Sequence, residues 1–268
     1  FLGLDVESED EKTVRVEYSP NRPDYSTDFG IALGLQGLLG IKTGAIKLKI
    51  KKSNQYKINA TPSVSKIRPY VTGIIAKNGK INGDVLEQLI QMQEDLHMGI
   101  GRKRKKSSIG IHDLNKISFP LLYTTTTRNH NFVPLNSEKE LSVSEIIRDT
   151  QTGKDYGNLL GQSTQVPIIV DSNKKTVSFP PIINAAITTV TTKTKHLFVE
   201  VTGINKDDAE DMLSVVATIL QSAGFALERI QISGAKNSSP KLQEKKMVVN
   251  SSLINQTLGL NLTTSKII

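Results

Sequence analysis

The stretch HLFVEVTGINKDDAEDMLSVVATILQSAGFALERIQI, His196–Ile232, reads as strand, helix, strand. Its first seven residues alternate without a break. Leu197, Val199 and Val201 point one way, and Phe198, Glu200 and Thr202 point the other. A Glu in the middle of such a strand either meets solvent or points into a cleft, and the alternation alone leaves both open. Asn205 then caps a helix over Asp207–Ala223 whose apolar face is Ala209, Met212, Leu213, Val216 and Leu220, and Gly224 stops it. Ala226–Ile232 returns as a strand. A sheet with a helix packed on it is the minimum unit this stretch demands.

Toward the N-terminus the same signals recur. Asp84–Met98 is an amphipathic helix with Val85, Leu89, Met92 and Leu96 at helical spacing, ended by Gly99 and Gly101. Tyr70–Ala76 and Ser108–His112 read as strands, and so does Val14–Tyr18. Thr27 caps a helix reaching about Leu39, with Ile31, Leu35, Leu38 and Leu39 as its stripe. Ser142-Val-Ser-Glu145 is a capping box. Val166–Val170 and Lys175–Phe179 form a hairpin across Asp171–Lys174, and Pro180-Pro181 ends it because proline cannot donate to a ladder. Residues 45–60 suit an exposed strand or a linker. Residues 235–246 are polar and mark a boundary, after which 247–268 begin a new strand and helix. Strands and helices are thus interspersed along the chain.

Across 268 residues the chain carries 34 Lys and Arg against 26 Asp and Glu, a formal net charge of +8. The excess resides in two clusters, Lys47–Lys57 and Arg102–Lys106, outside which acids slightly outnumber bases. The absence of cysteine excludes disulfides, thiolate catalysis and cysteine-based zinc sites. There is no apolar run long enough to span a bilayer and no secretory leader. Phosphate-loop, dinucleotide, zincin and serine-hydrolase signatures are missing. His97, His112, His130 and His196 lack metal-ligand spacing. The chain opens on Phe1 and closes on Lys-Ile-Ile, which reads as a piece of a longer intracellular, cytoplasmic protein.

Two places can carry chemistry. Five consecutive cations at Arg102, Lys103, Arg104, Lys105 and Lys106 are either a solvated face or a phosphate contact, which without interleaved aromatics would hold a backbone and read no bases. The segment Ser178-Phe179-Pro180-Pro181-Ile182-Ile183-Asn184 is either a strand end in the core or a pocket wall with a polar group at each end.

These motifs, in order, resemble the beta subunit of phenylalanyl-tRNA synthetases of the archaeal and eukaryotic cytosolic type. The resemblance rests on Asn21-Arg22-Pro23-Asp24, Ile67-Arg68-Pro69-Tyr70, Ile90-Gln-Met-Gln-Glu94, Gly101-Arg-Lys-Arg-Lys105, Ile109-Gly-Ile-His-Asp113, Lys154-Asp-Tyr-Gly157, Ser178–Asn184 and Phe198-Val-Glu-Val-Thr-Gly203. It implies an α+β fold, a layered mixed β-sheet or β-sandwich editing domain with packed helices over 61–240. Before it would lie the end of an N-terminal domain (1–44) and a basic connection (45–60). After it would come a linker and the start of the next domain (241–268).

The resemblance also implies an activity: hydrolysis of tyrosine wrongly attached to the phenylalanine tRNA. An apolar pocket rejects an isostere carrying one added hydroxyl by only about a hundredfold, so a second, hydroxyl-seeking site is needed. By the same resemblance Ser178 and Asn184 would position the ester and a water. Glu200 and Thr202 would bind the tyrosyl phenol or amino group, Ile169 and Phe179 would form the wall, and Arg102–Lys106 would meet the tRNA end. Two positions depart from the family pattern: Ile169 stands where Leu is usual and Glu200 where Asp is usual. The implied partners are the alpha subunit in an α2β2 parent, the 3′ end of the tRNA and tyrosine. Neither DNA nor a membrane is implied. No cofactor is expected in this chain; Mg²⁺ and ATP belong to the parent reaction. Two other readings stand beside this one, a non-enzymatic module that docks tRNA or the alpha subunit and a stand-alone trans-editing hydrolase.

Overall fold

The structure is a computed structural model describing residues 2–11, 13–44, 46–233, 240 and 247–267. Its centre is two sheets packed face to face. The five-stranded sheet has the order β3(Ile50–Lys51), β14(Ala226–Arg229), β5(Tyr70–Lys77), β13(Leu197–Gly203), β6(Ser107–Asp113). The six-stranded sheet has the order β12(Ile183–Asn184), β11(Thr176–Phe179), β10(Gln165–Val170), β7(Leu121–Thr127), β4(Lys57–Ala60), β15(Gln231–Ile232). Two short pairs stand outside them, β1(Leu4–Glu9) with β2(Val14–Tyr18) and β8(Asn131–Phe132) with β9(Leu141–Ser142).

Strand alternation builds four layers. The odd residues Leu197, Val199 and Val201 of β13 pack with Ile74 and Ala76 against α2(Gly83–Met98) and α5(Lys206–Ser222). The even residue Phe198 joins Val71, Ile75 and Ile230 and meets Ile58, Tyr123, Ile169 and Val177 of the six-stranded sheet. On the far face of that sheet, Val166, Ile168 and Phe179 pack on Val143 and Ile146 of α3(Val143–Asp149), which α4(Gln151–Tyr156) follows. Each fully buried aliphatic side chain here contributes roughly 1.5–3 kcal/mol. The helices begin where their caps place them. Asn205 accepts from Asp207 and Asp208, Asn82 from Val85, and Ser142 and Glu145 close a full capping box.

Some expectations are corrected. Within 46–60, offered by the sequence as an exposed strand or a linker, β3 joins the five-stranded sheet and β4 the six-stranded sheet, with Lys51 and Lys57 exposed and Tyr56 and Ile58 buried. The return strand 226–232 divides into β14 and β15 and passes from one sheet to the other at Ile230. In α1(Asp28–Leu38), Leu35 and Leu38 are exposed, as is Leu39 just after it; the face that packs is Gly30 and Gly34, which sit against Asp24 and Tyr25. β7, unrecognised because of its Thr run, is a central strand. Residues 247–250 form no strand, and α6(Ser251–Leu258) and α7(Thr264–Ile267) follow them. Most of the polar boundary at 235–246 lies outside the described residues.

Candidate functional site

A cavity of about 380 Å³ lies beside the free edge of β6, between α2 and the segment from Ser178 to Val190. Its walls are mostly aliphatic, from Leu86, Leu89 and Ile90 of α2 to Ile182 and Ile183. Glu200, Ser178 and Asn184 bring polar atoms into it.

Register explains how Glu200 can be there. It sits in mid-strand on β13, paired with Gly73 on one side and Gly110 on the other. Two glycine neighbours leave space over the strand face that larger side chains would fill. At Gly110 an added Cβ would lie 2.7 Å from His112 Nε2, 2.8 Å from Glu200 Oε1 and 2.9 Å from Asn184 Oδ1. On the opposing sheet Ser178 pairs with both Ile169 and Asn184. Ser178 Oγ lies 2.9 Å from Glu200 Oε1, to which it donates, and 3.3 Å from Asn184 Oδ1. Glu200 is fully enclosed and its Oε2 has no hydrogen-bond partner. Burial pushes its carboxyl up to about 7, against the opposing pull of the Ser178 hydrogen bond and the Arg68 charge.

His112 lies behind this group, stacked on Phe198. Thr188 spends its hydroxyl proton on Ala185 O, so it accepts from His112 Nδ1–H at 2.8 Å. His112 Nε2 is left as a buried acceptor without a partner. Burial holds this imidazole down at about 3, so it is neutral.

Two arginines brace the site. Arg68 donates from Nε to Thr202 Oγ1 (2.8 Å) and from Nη2 to Thr202 O (2.8 Å) and Ser108 Oγ (3.1 Å). Arg104 donates from Nη1 to Ile182 O (2.8 Å) and Pro181 O (3.2 Å), and from Nη2 to Glu94 (3.1 Å), with its guanidinium over the Tyr156 ring. It therefore fixes the loop between Ser178 and Asn184 to the end of α2.

The residues singled out in the sequence fare differently. Ser178, Asn184 and Glu200 come together on the cavity. Ile169 is buried beneath them between the sheets. Phe179 is not cavity wall. Because Ser178 faces the inter-sheet side, its neighbour must face away, and Phe179 packs edge-on against Phe132. Thr202 faces the same side as Glu200 but its hydroxyl is committed to Arg68 and Ser108. Within the basic run Arg104 is buried and engaged, while Arg102, Lys103 and Lys105 are exposed and Lys106 pairs with Asp208 at 3.4 Å. Arg102, Lys103 and Arg104 all adopt positive φ (49°, 54° and 62°), and this left-handed turn sends Arg104 inward while its neighbours face solvent.

Gly73, Gly110, His112, Arg68 and Glu94 were given no site role from the sequence, although all but Gly73 stand in the motifs on which the resemblance rests. No group of three or more His, Cys, Asp or Glu among the described residues is placed to hold a metal, and no described helix is long and apolar enough to cross a membrane.

Comparison with known proteins gives consistent results. Residues 81–214 match the B3/4 domain family. The chain is 37% identical over 269 residues to the phenylalanine–tRNA ligase beta subunit of Archaeoglobus fulgidus, covering 100% of this chain and 49% of that protein. It is 38% identical over 270 residues to the Sulfurisphaera tokodaii subunit, again covering 100% and 49%. The chain thus spans about half the length of the curated relatives it matches. The crystal structure of an N-terminal fragment of the phenylalanyl-tRNA synthetase beta subunit from Pyrococcus horikoshii superposes with a TM-score of 0.92 at 31% identity, covering 99% of this chain and 79% of that one.

Proposed function

The chain belongs to the phenylalanine–tRNA ligase beta-subunit family and contains a B3/4 domain, and from that premise we propose that its cavity hydrolyses tyrosine esters on the phenylalanine tRNA. The observation that carries this reading is the buried, partner-poor Glu200 carboxyl at one end of a cavity whose walls include Leu86, Leu89, Ile90, Ile182 and Ile183. An aromatic ring suits the aliphatic walls, and a phenolic hydroxyl suits the polar end. Phenylalanine would leave these groups unpaired, at a cost of about 1–3 kcal/mol each.

Ser178, Asn184 and Glu200 form one hydrogen-bonded group and cannot be divided between the two ends of a substrate. We assign them together to the phenol, which puts the ester toward the mouth. There a water attacks the carbonyl carbon, the bond to the ribose oxygen breaks, and that oxygen takes the proton. Orientation, with help from the tRNA's own terminal hydroxyl, supplies the rate. The tRNA end and an alpha subunit are the proposed partners, in the cytoplasm, with ATP and Mg²⁺ serving the activation step of the whole ligase.

The test is deacylation of tyrosyl-tRNA and phenylalanyl-tRNA by the chain and its Ser178→Ala and Glu200→Ala variants. We expect hydrolysis of the tyrosyl ester only, falling at least roughly fivefold in each variant, as loss of a hydrogen bond worth about 1 kcal/mol or more requires. Unchanged rates in both variants would refute the assignment.

A further inference from the structure

The cavity holds a second carboxylate, in a setting opposite to that of Glu200. Glu94, on α2, lines the same cavity but is half-exposed. Its Oε1 accepts from Arg104 Nη2 (3.1 Å), His97 Nδ1 (3.4 Å) and Gln93 Nε2 (3.4 Å); Oε2 has one long contact, 3.4 Å from Arg104 Nη2. His97 Nε2 accepts from Ile109 N–H at 2.9 Å, so the ring is the neutral Nδ1–H tautomer and brings no charge of its own. The Arg104 guanidinium is spread over two carbonyls, one carboxylate and a ring, which leaves Glu94 Oε2 with a single long contact at the exposed side of the cavity.

One cavity therefore presents a buried carboxyl among hydroxyl and amide groups, and a half-exposed carboxylate among donors. The hydrogen bond from His97, with the Arg104 charge, holds Glu94 well below the usual carboxylate range against its partial burial, so it is ionised at any physiological pH. Two carboxyls pushed apart in this way do different work. A ligand matching both ends has a hydroxyl on an apolar ring and a cation near the mouth.

We infer that Glu94 receives the α-ammonium group of the aminoacyl ester, which makes it a specificity-determining residue that selects a free amino acid over an N-blocked or peptidyl ester. The inference rests on the editing function proposed above. It fixes the direction of the substrate: phenol inward at Glu200, ammonium at Glu94 on α2, and the ester toward the mouth.

The experiment compares tyrosyl-tRNA with N-acetyl-tyrosyl-tRNA as substrates of this chain and of its Glu94→Gln variant. The unmodified chain should prefer the free amine by roughly ten- to hundredfold in kcat/KM, the range for a hydrogen bond to a charged group. Glu94→Gln should erase the preference by lowering the rate on the free amine alone. If the variant loses both substrates equally, Glu94 acts only by holding Arg104 and the loop, and the inference fails. If the preference survives in the variant, the ammonium is bound elsewhere and the inference also fails. A chain that hydrolyses neither ester refutes the editing function itself, and the two failures are thus distinguishable. A measurement free of any variant guards against misfolding: calorimetric binding of L-tyrosinamide against 3-(4-hydroxyphenyl)propanamide, which lacks only the amine. Tighter binding of the amine supports the inference, and equal affinities overturn it.

Discussion

Glu200 is a residue whose protonation matters to both chemistry and stability. Its ordinary carboxyl titrates near 4.5 and burial raises it to about 7 in the folded chain. Between those values the folded state binds the extra proton. Stability is therefore full below about 4.5 and declines as pH rises through 7, by on the order of 1.4 kcal/mol per unit of difference at most. Replacing Glu200 with Gln removes the charge while keeping the shape. We expect thermal melts of Glu200→Gln and the unmodified chain to coincide near pH 5 and to separate by several degrees at pH 8, with the variant higher. Parallel curves across that range would contradict a buried, proton-sensitive carboxyl.

At the scale of elements, the site is a consequence of strand pairing. β13 supplies Glu200, β6 lines the cavity with Ser108, Ile109 and Ile111, and the room for Glu200 comes from the side chains missing at Gly73 and Gly110. Gly110→Ala places a methyl against three polar atoms at 2.7–2.9 Å. Such overpacking costs typically about 1–3 kcal/mol, and hydrolysis of tyrosyl-tRNA should be lost with it. Gly83→Ala, at the start of α2 with nothing within 4 Å of the new methyl, is the matched control and should leave both stability and hydrolysis unchanged. Sequence periodicity identified β13, α2 and α5 because each has one buried face, and burial selects the apolar period directly. The same reasoning missed β7, whose second half is four threonines that put the same polar residue on both faces, and misjudged α1, whose close-packed face is glycine. A glycine that matters by admitting a neighbour leaves no hydrophobic trace.

Over the whole molecule the charge has two destinations. The lysines at 47–57 are the solvent face of strands whose other face is core. The run at 102–106 is a left-handed turn beside the cavity, with Arg104 inward and Arg102, Lys103 and Lys105 free to meet phosphate. Replacing those three exposed cations with Gln should reduce the slope of log affinity against log salt for tRNA by up to about 2, at roughly 0.7 per contact with single-stranded phosphate. Arg104→Gln should leave the slope unchanged and impair hydrolysis by freeing the Pro180-Pro181 loop. An equal change of slope in both would show that burial does not separate them.

The sequence by itself determined the main strands and helices and the positions of the caps. These are local properties, written in period and spacing. Only the tertiary structure decided which polar residues share one cavity. Ser178 and Glu200 lie on different sheets that meet through a common core, and Glu94 reaches the same space from a helix. It also decided that Phe179 faces away, that Thr202 serves Arg68, and that one of five consecutive cations is buried. The reason is physical: a side chain's environment is set by the element packed opposite it, and that element is remote in the chain.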